Sequence, residues 1–204
     1  MLEGGRKIQR AKLREENVLT NTFFESKVDQ ILDVAKRFGT VLEEARLGYR
    51  VVGGLAVFIH VDRIDPLASR MTRDVDVAIR RSDLARIREA LEPHGFRYRH
   101  VAGVDMFVHG PTPKVRSAVH LLFIGERVRA SDLSPIPGSE PIRSAEGILL
   151  APVADLVRMK LTSFRLKDKV HIQDMDSVGL ITPEIEQLLP ETLRERLQEV
   201  RATP

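Results

Sequence analysis

The feature that most constrains this chain is a strand that turns into a helix at two adjacent glycines and is followed by an acid-bearing strand. The stretch "YRVVGGLAVFIH" predicts a short buried strand and then a helix that opens at Gly53 and Gly54. Further on, "DVDVAI" alternates acid and apolar residue at the period of a strand. A helix that follows a buried strand packs against the sheet to which the strand belongs. The pattern therefore favours layered α/β or α+β folds.

Further predicted elements surround this unit. Apolar residues at helical spacing over 25–46 predict an amphipathic helix before it. After it, we expect a helix over 82–95 with Ser82 as N-cap and Gly95 as terminator. The stretches "FRYRHVAGVDMFVHG", "SAVHLLFIG" and "ILLA" then predict a hairpin and two further strands. Alternating helices and strands without repeats indicate one layered α/β domain.

The chain changes character after residue 150. Pro152 is expected to open a helix that runs through "PVADLVRMKLTSFRL" and continues to Gly179, with one or two more helices beyond it. The first 14 residues carry five basic ones and predict a basic arm or a solvated tail. We therefore divide the chain into a basic N-terminal arm (1–20), a sheet-containing domain (21–150) and a helical segment (151–204).

Composition excludes several classes of protein. The absence of cysteine rules out disulfides and thiolate metal sites, and it fits a reducing compartment. No apolar run is long enough to span a bilayer, so we expect a cytoplasmic protein without a membrane partner. The net charge of +3 is too small to indicate nucleic-acid binding. Aromatic residues make up 5% of the chain, which argues against a platform on which bases stack.

Asp74 and Asp76 lie two residues apart in the predicted strand, so their side chains share one face with Cα atoms roughly 6.5–7 Å apart. Two carboxylates this close repel each other unless a positive charge lies near them. The flanking Arg70 and Arg73 would supply it through salt bridges. A divalent cation is the alternative, because Mg²⁺ is commonly held by one or two carboxylates together with water and phosphate oxygens.

The glycine pair bears on the choice between salt bridges and a metal ion. Without a Cβ, Gly53 and Gly54 let backbone N–H groups approach a phosphate at a helix N-terminus. The pair is also consistent with a tight turn that binds nothing. A phosphate cradle beside a metal-binding carboxylate pair predicts a site for a nucleoside triphosphate (NTP) and its Mg²⁺.

At these residues the sequence resembles the nucleotidyltransferase superfamily with the DNA polymerase β fold, in the branch of AbiEii toxin-like and minimal nucleotidyltransferases. "VVGGLAVFIHVDRIDPLASRMTRDVDVAI" is similar to the first signature and "APVADLVRMKLTSFRLKDKVHIQDM" to the second. The resemblance implies a mixed, twisted β-sheet flanked by helices and a helical C-terminal part. It also implies transfer of a nucleoside monophosphate (NMP) from an NTP to a hydroxyl of a protein or RNA acceptor. For part of the family it implies a toxin with an antitoxin protein as partner.

The resemblance assigns roles within the first signature. Gly53 and Gly54 would cradle the triphosphate, and Asp74 and Asp76 would hold Mg²⁺ or Mn²⁺. Thr72 would brace the strand or reach a phosphate.

The second signature contributes basic residues. Lys160 would point toward the nucleotide phosphates, although the residue is also consistent with a solvated lysine on an amphipathic helix. The other residues that match the second signature would cap the helix, form ion pairs or line the rim of the site. These residues are Arg165, Lys167, Asp168 and Lys169.

One position departs from the family. Active members carry a third carboxylate on a neighbouring strand, and this chain has His120 in "SAVHLLF". In one interpretation His120 replaces the base in a two-carboxylate enzyme, with Mg²⁺ or the softer Mn²⁺. In a second, Asp105 in "GVDMFVH" supplies the missing acid. The departure is also compatible with a catalytically impaired nucleotide- or partner-binding module, or with a histidine that only completes local hydrogen bonds.

Overall fold

The computed structural model describes residues 28–109 and 118–203, which fold into a seven-stranded sheet with helices packed against it. The strands are β1 (Tyr49–Val52), β2 (Val75–Ile79), β3 (Phe96–Val101), β4 (Val104–His109), β5 (Ala118–Phe123), β6 (Ile142–Arg143) and β7 (Leu149–Leu150). The helices are α1 (28–44), α2 (Gly53–Asp62), α3 (Leu84–Leu91), α4 (Val153–Ser163), α5 (Leu166–Ser177), α6 (Pro183–Gln187) and α7 (Glu191–Arg201).

The sheet is mixed, with strand order β3-β4-β5-β2-β1-β7-β6. The central strand β2 is antiparallel to β1 and parallel to β5, while β7 is parallel to β1. The strands β3, β4 and β5 form an antiparallel meander at one side. This architecture confirms the α/β (α+β) fold with a mixed sheet flanked by helices and a helical C-terminal segment.

The two faces of β2 differ in chemistry. Val75, Val77 and Ile79 are buried on what we call the core face, where Phe38 of α1 contacts the ring of Phe107 edge-on. Alternation along the strand places Asp76 on the opposite face, which we call the site face. Alternation with the buried valines and isoleucine therefore fixes the direction in which Asp76 points.

Two predicted helix boundaries are wrong. A 3₁₀ turn over Arg81–Asp83 precedes α3, so Ser82 lies inside this turn and is not the N-cap, whereas Gly95 does end the segment with a left-handed φ of 81°. The long helix predicted from Pro152 to Gly179 is broken at Phe164, whose φ of 47° is left-handed. A new helix, α5, starts two residues later.

The predicted basic arm over 1–20 lies outside the described residues. The boundary predicted between residues 150 and 151 stays a prediction. Within the part of the chain that the structure describes, no helix is long and apolar enough to cross a membrane.

Candidate functional site

The two glycines at the start of α2 are packed against the residues that the sequence singled out. Gly53 has a left-handed φ of 68°, and a Cβ added there would overlap the carboxylate of Asp76. A Cβ added at Gly54 would lie 2.7 Å from the hydroxyl oxygen of Thr72. The turn therefore brings a helix N-terminus, a carboxylate and a hydroxyl together because neither glycine carries a side chain.

Asp76 lies at the middle of the sheet, opposite Val52 of β1 and opposite His120 of β5. Asp74 comes one residue before β2 and is partly exposed. Within the described ranges, no lysine or arginine is within ion-pair distance of either acid, and the guanidinium of Arg70 instead binds Asp174 at 2.8 Å. The salt-bridge explanation of the acid pair is therefore not supported by Arg70.

His120 occupies the position beside Asp76 on the neighbouring strand. Its Nδ1 lies 3.3 Å from Asp76 Oδ1, and the two side chains are 26% and 28% exposed. The hydrogen bond to Asp76, together with the charges of Asp76 and Asp74, raises the pKa of His120 against the opposing effect of burial. The histidine is thus held by one acid of the pair and senses the other.

Asp105 does not complete the site. In the sheet register Met106 is opposite His120, so Asp105 points to the core face. There it accepts hydrogen bonds from the Tyr98 hydroxyl and from His100, whose Nδ1 is 2.7 Å away. The interpretation in which Asp105 supplies a third carboxylate is wrong, because a one-residue offset places it on the other side of the sheet.

Lys160 lies in the interior rather than open to solvent. Its side chain is 7% exposed, and its ammonium lies 3.1 Å from Asp168, which is fully buried and also accepts hydrogen bonds from Ser163 and Arg165. Burial lowers the pKa of Lys160, against the opposing charges of Asp168 and Asp76. Lys160 therefore places a positive charge in the field of Asp76, although Asp168 is its direct partner.

Asp168 organises the start of α5. It accepts a hydrogen bond from the backbone N–H of Arg165 at 3.2 Å, which caps the new helix after the break at Phe164. Burial alone would raise its pKa, but the hydrogen bond from Arg165 and the charge of Lys160 hold the pKa well below its usual range. The carboxylate is thus a structural anion.

The remaining basic residues of the second signature divide into two groups. Arg165 and Lys167 are exposed, and each is near enough to affect the site: Arg165 senses the charge of Asp76, and the charge of Lys167 opposes the rise in the pKa of His120. Lys169 instead binds Glu199 of α7 at 2.6 Å. The first two lie at the rim of the site and the third joins two helices.

The sequence did not single out His171. Its ring lies behind the glycine turn, with Cε1 3.5 Å from where a Cβ of Gly54 would be. The Nδ1 atom is buried without a hydrogen-bond partner among the described residues, and burial lowers the pKa of His171 to about 4. Its spacing of three residues from Asp168 was the available signal, because such residues share a helix face.

The site can be tested for its fit to a divalent cation. Asp76 offers hard oxygen donors next to the backbone of Gly53, and Asp74, one residue before β2, is near enough for its charge to act on His120. Among the described residues there is no group of three or more acidic, histidine or cysteine side chains that could hold a metal ion. The donors fit an ion that is held by two carboxylates and completes its shell with phosphate and water oxygens.

Comparison with known proteins shows the fold. No family model matches the chain, and no curated protein matches its sequence. The structure of ANT(2″)-Ia in complex with adenylyl-2″-tobramycin is 11% identical with a TM-score of 0.52, covering 84% of this chain and 98% of that one. An antigenic nucleotidyltransferase-like protein from Paracoccidioides brasiliensis is 17% identical with a TM-score of 0.52, covering 84% and 87%.

The Megavirus polyadenylate synthase is 11% identical with a TM-score of 0.52, covering 89% of this chain and 39% of that one. At these identities the likeness of the three structures to this chain concerns the fold. The chain has a nucleotidyltransferase-like fold.

Proposed function

We propose that this protein is a metal-dependent nucleotidyltransferase that moves an NMP from an NTP to an acceptor hydroxyl. The observation that carries the proposal is the contact between Gly53 and Asp76, since a carboxylate beside glycine backbone at a helix N-terminus suits a metal ion that is bound to phosphate. A purely structural turn does not require a carboxylate at a helix N-terminus.

In this proposal the phosphates lie on the backbone of Gly53 and Gly54, with the Thr72 hydroxyl beside them. Asp74 and Asp76 would hold Mg²⁺ or Mn²⁺. When bound, this ion would neutralise phosphate charge during displacement of pyrophosphate.

Lys160 adds positive charge in the field of Asp76, and its ion pair with Asp168 fixes its position. Arg165 and Lys167 at the rim would contact the outer phosphates. In this arrangement Arg165 and Lys167 would bind and orient the nucleotide, while the charge of the buried lysine would act on Asp76 without direct contact.

His120 would act as the general base. Its bond to Asp76 through Nδ1 fixes the ring, and Nε2 has no hydrogen-bond partner among the described residues. Nε2 would take the proton of the acceptor hydroxyl as its oxygen attacks the α-phosphorus, and Asp76 and Asp74 would stabilise the imidazolium that forms.

The finer assignments are part of the same proposal. The acceptor would be a hydroxyl of a protein or of RNA. Similarity to the AbiEii branch would make the chain the toxin of a toxin–antitoxin pair, with an antitoxin protein as partner. We also propose that the protein is cytoplasmic and that its sheet-containing domain ends at residue 150, where the helical segment begins.

One observation favours a second candidate, a catalytically impaired nucleotide- or partner-binding module. His120 stands on the strand next to Asp76, and the nearby acid Asp105 faces the other side of the sheet. A site with only two carboxylates can bind an NTP and its ion without turnover.

Incorporation of labelled nucleotide separates the two candidates. The protein is incubated with each labelled NTP, Mg²⁺ or Mn²⁺, and total RNA or cell protein. We expect Asp74→Asn and Asp76→Asn to abolish incorporation and His120→Ala to lower its rate about 10²–10⁴-fold. The matched control is Asp29→Asn on the exposed side of α1, which should retain full activity. Incorporation that survives Asp74→Asn and Asp76→Asn contradicts the catalytic role proposed for these acids, and NTP binding without incorporation supports the binding module.

A further inference from the structure

We propose that His171 of α5 is a nucleotide-binding residue whose Nε2–H donates a hydrogen bond to a phosphate oxygen at the glycine turn. This inference rests on the proposed function, because it needs the phosphates to lie on the backbone of Gly53 and Gly54. It follows from the position of the ring against the turn and from the unequal surroundings of its two nitrogens.

The ring of His171 faces the start of α2. Its Cε1 atom lies 3.5 Å from the position of a Cβ on Gly54, and the hydroxyl oxygen of Thr72 lies 2.7 Å from the same position. Because Cε1 is bonded to both ring nitrogens, both nitrogens lie near this turn. Helix α5 thus brings a polar side chain of the second signature to the glycine pair of the first.

The first turn of α2 has free hydrogen-bond donors. The N-cap is Val52, no side chain of the described residues caps the helix, and its first turn contains no acid. The first backbone N–H groups of a helix have no intrahelical partner, and the helix dipole makes them attractive to an anion. A phosphate at this turn would therefore meet backbone donors and the imidazole together.

The surroundings of His171 indicate which ring nitrogen carries the proton. Nδ1 is enclosed and has no hydrogen-bond partner among the described residues, whereas Nε2 is not fully enclosed. A proton on Nδ1 would bury an N–H group without an acceptor, but a proton on Nε2 leaves an N–H group that a ligand can reach. We therefore assign the proton to Nε2.

The surroundings also keep this donor neutral. Burial lowers the pKa of His171 to about 4, and the charges of Lys160, Lys167 and Arg165 act in the same direction, while Asp168 opposes them. At neutral pH the ring can therefore donate a hydrogen bond without adding a charge beside three cations.

A ring that only filled the space beside Gly54 would respond differently to substitution. His171→Met occupies this space without a polar atom. Replacement of a buried polar group that lacks a partner by an apolar group costs little stability. Loss of a hydrogen bond to a charged phosphate weakens binding. A binding role therefore predicts lower affinity at unchanged stability.

The direct test is isothermal titration calorimetry at neutral pH with Mg²⁺ and inorganic triphosphate, the part that all NTPs share. We expect His171→Met to bind triphosphate at least about tenfold more weakly than the wild type, with an unchanged midpoint of urea denaturation. His171→Gln should retain most of the affinity, because its amide N–H reaches as far as Nε2. The control His94→Met replaces an exposed histidine and should bind normally.

Nitrogen NMR of protein with isotope-labelled histidine provides a second readout. We expect His171 to carry its proton on Nε2, and we expect the Nε2 signal to shift when triphosphate is added. His60 is the internal control. It lies in the last turn of α2, where its Nε2 is 3.0 Å from the carbonyl oxygen of Ala151, and its signals should not shift.

The outcomes separate this inference from the proposed function. Equal triphosphate affinity of His171→Met and wild type would overturn the inference and leave the proposed function intact. A proton on Nδ1 of His171, or an Nε2 signal that does not respond to triphosphate, would do the same. Failure of the wild type to bind triphosphate would contradict the phosphate site itself, and with it both proposals.

Discussion

The carboxylate of Asp76 lies so close to the backbone of Gly53 that no side chain fits between them. This contact joins the end of β1, the start of α2 and the middle of β2. It fixes the position of the acid relative to a helix N-terminus, which is the relationship that a phosphate-bound metal ion requires.

Gly53→Ala should therefore damage the site more than the fold. The new Cβ would displace Asp76, and the left-handed backbone adds about 1–2 kcal/mol of strain. We expect NTP affinity to fall at least about tenfold, as measured by equilibrium dialysis. Gly48→Ala is the matched control, because nothing lies within 4 Å of its added Cβ. Unchanged NTP affinity in Gly53→Ala would contradict the assigned role of the turn.

His120→Asp should tighten metal binding. The substitution places a third carboxylate beside Asp76, and hard divalent cations prefer oxygen ligands to imidazole. We expect the affinity for Mn²⁺ without nucleotide to rise about tenfold, as followed by electron paramagnetic resonance. His120→Asn has a similar size without the charge and serves as the control. If both variants bind Mn²⁺ equally, position 120 does not face the metal site.

The pair of Lys160 and Asp168 should be important for stability. Lys160→Met leaves a fully buried carboxylate with only Ser163 and Arg165 as partners, and we expect a loss of about 3 kcal/mol in the free energy of unfolding. Urea denaturation measures this loss.

Lys169→Met is the comparison for that measurement, since it breaks a more exposed ion pair with Glu199. It should cost at most about 1 kcal/mol. Similar losses in the two variants would mean that the buried pair has no special role in stability.

The depressed pKa of His171 predicts a pH dependence of stability. Its pKa is about 4 in the folded protein, against an ordinary value of 6.5, because burial favours the neutral ring. Between these values the unfolded chain binds the additional proton. The contribution of His171 is therefore complete above pH 6.5 and is lost as the pH falls toward 4, by on the order of 3 kcal/mol.

His171→Gln removes this titrating group. Its free energy of unfolding should fall less steeply than that of the wild type between pH 6.5 and pH 4. Parallel stability curves for the two proteins would show that His171 is not buried in its neutral form.

The sequence predicted the parts of the site that follow from periodicity. Alternation along β2 gave the face of Asp76, and the glycine pair marked the start of α2, whereas Asp74 lies one residue before the strand. The position of His120 on a neighbouring strand was also expected, and the register confirms it as the residue opposite Asp76.

Partners and faces that depend on tertiary contacts were not predictable in the same way. A helical pattern indicates that Lys160 lies on α4, but only the break at Phe164 brings Asp168 back toward it. A left-handed phenylalanine leaves no clear signal in sequence. The face of Asp105 depends on a register that one sequence does not fix.

The most direct test of a metal-assisted nucleotide site is the dependence of NTP binding on the metal ion and on Asp76. Equilibrium dialysis with labelled NTP is performed with Mg²⁺ and with chelator, for wild type, Asp76→Asn and the control Asp29→Asn. We predict binding that requires Mg²⁺, that weakens at least about tenfold in Asp76→Asn and that is unchanged in Asp29→Asn. Binding of equal strength with chelator, or in Asp76→Asn, would contradict such a site at the glycine turn.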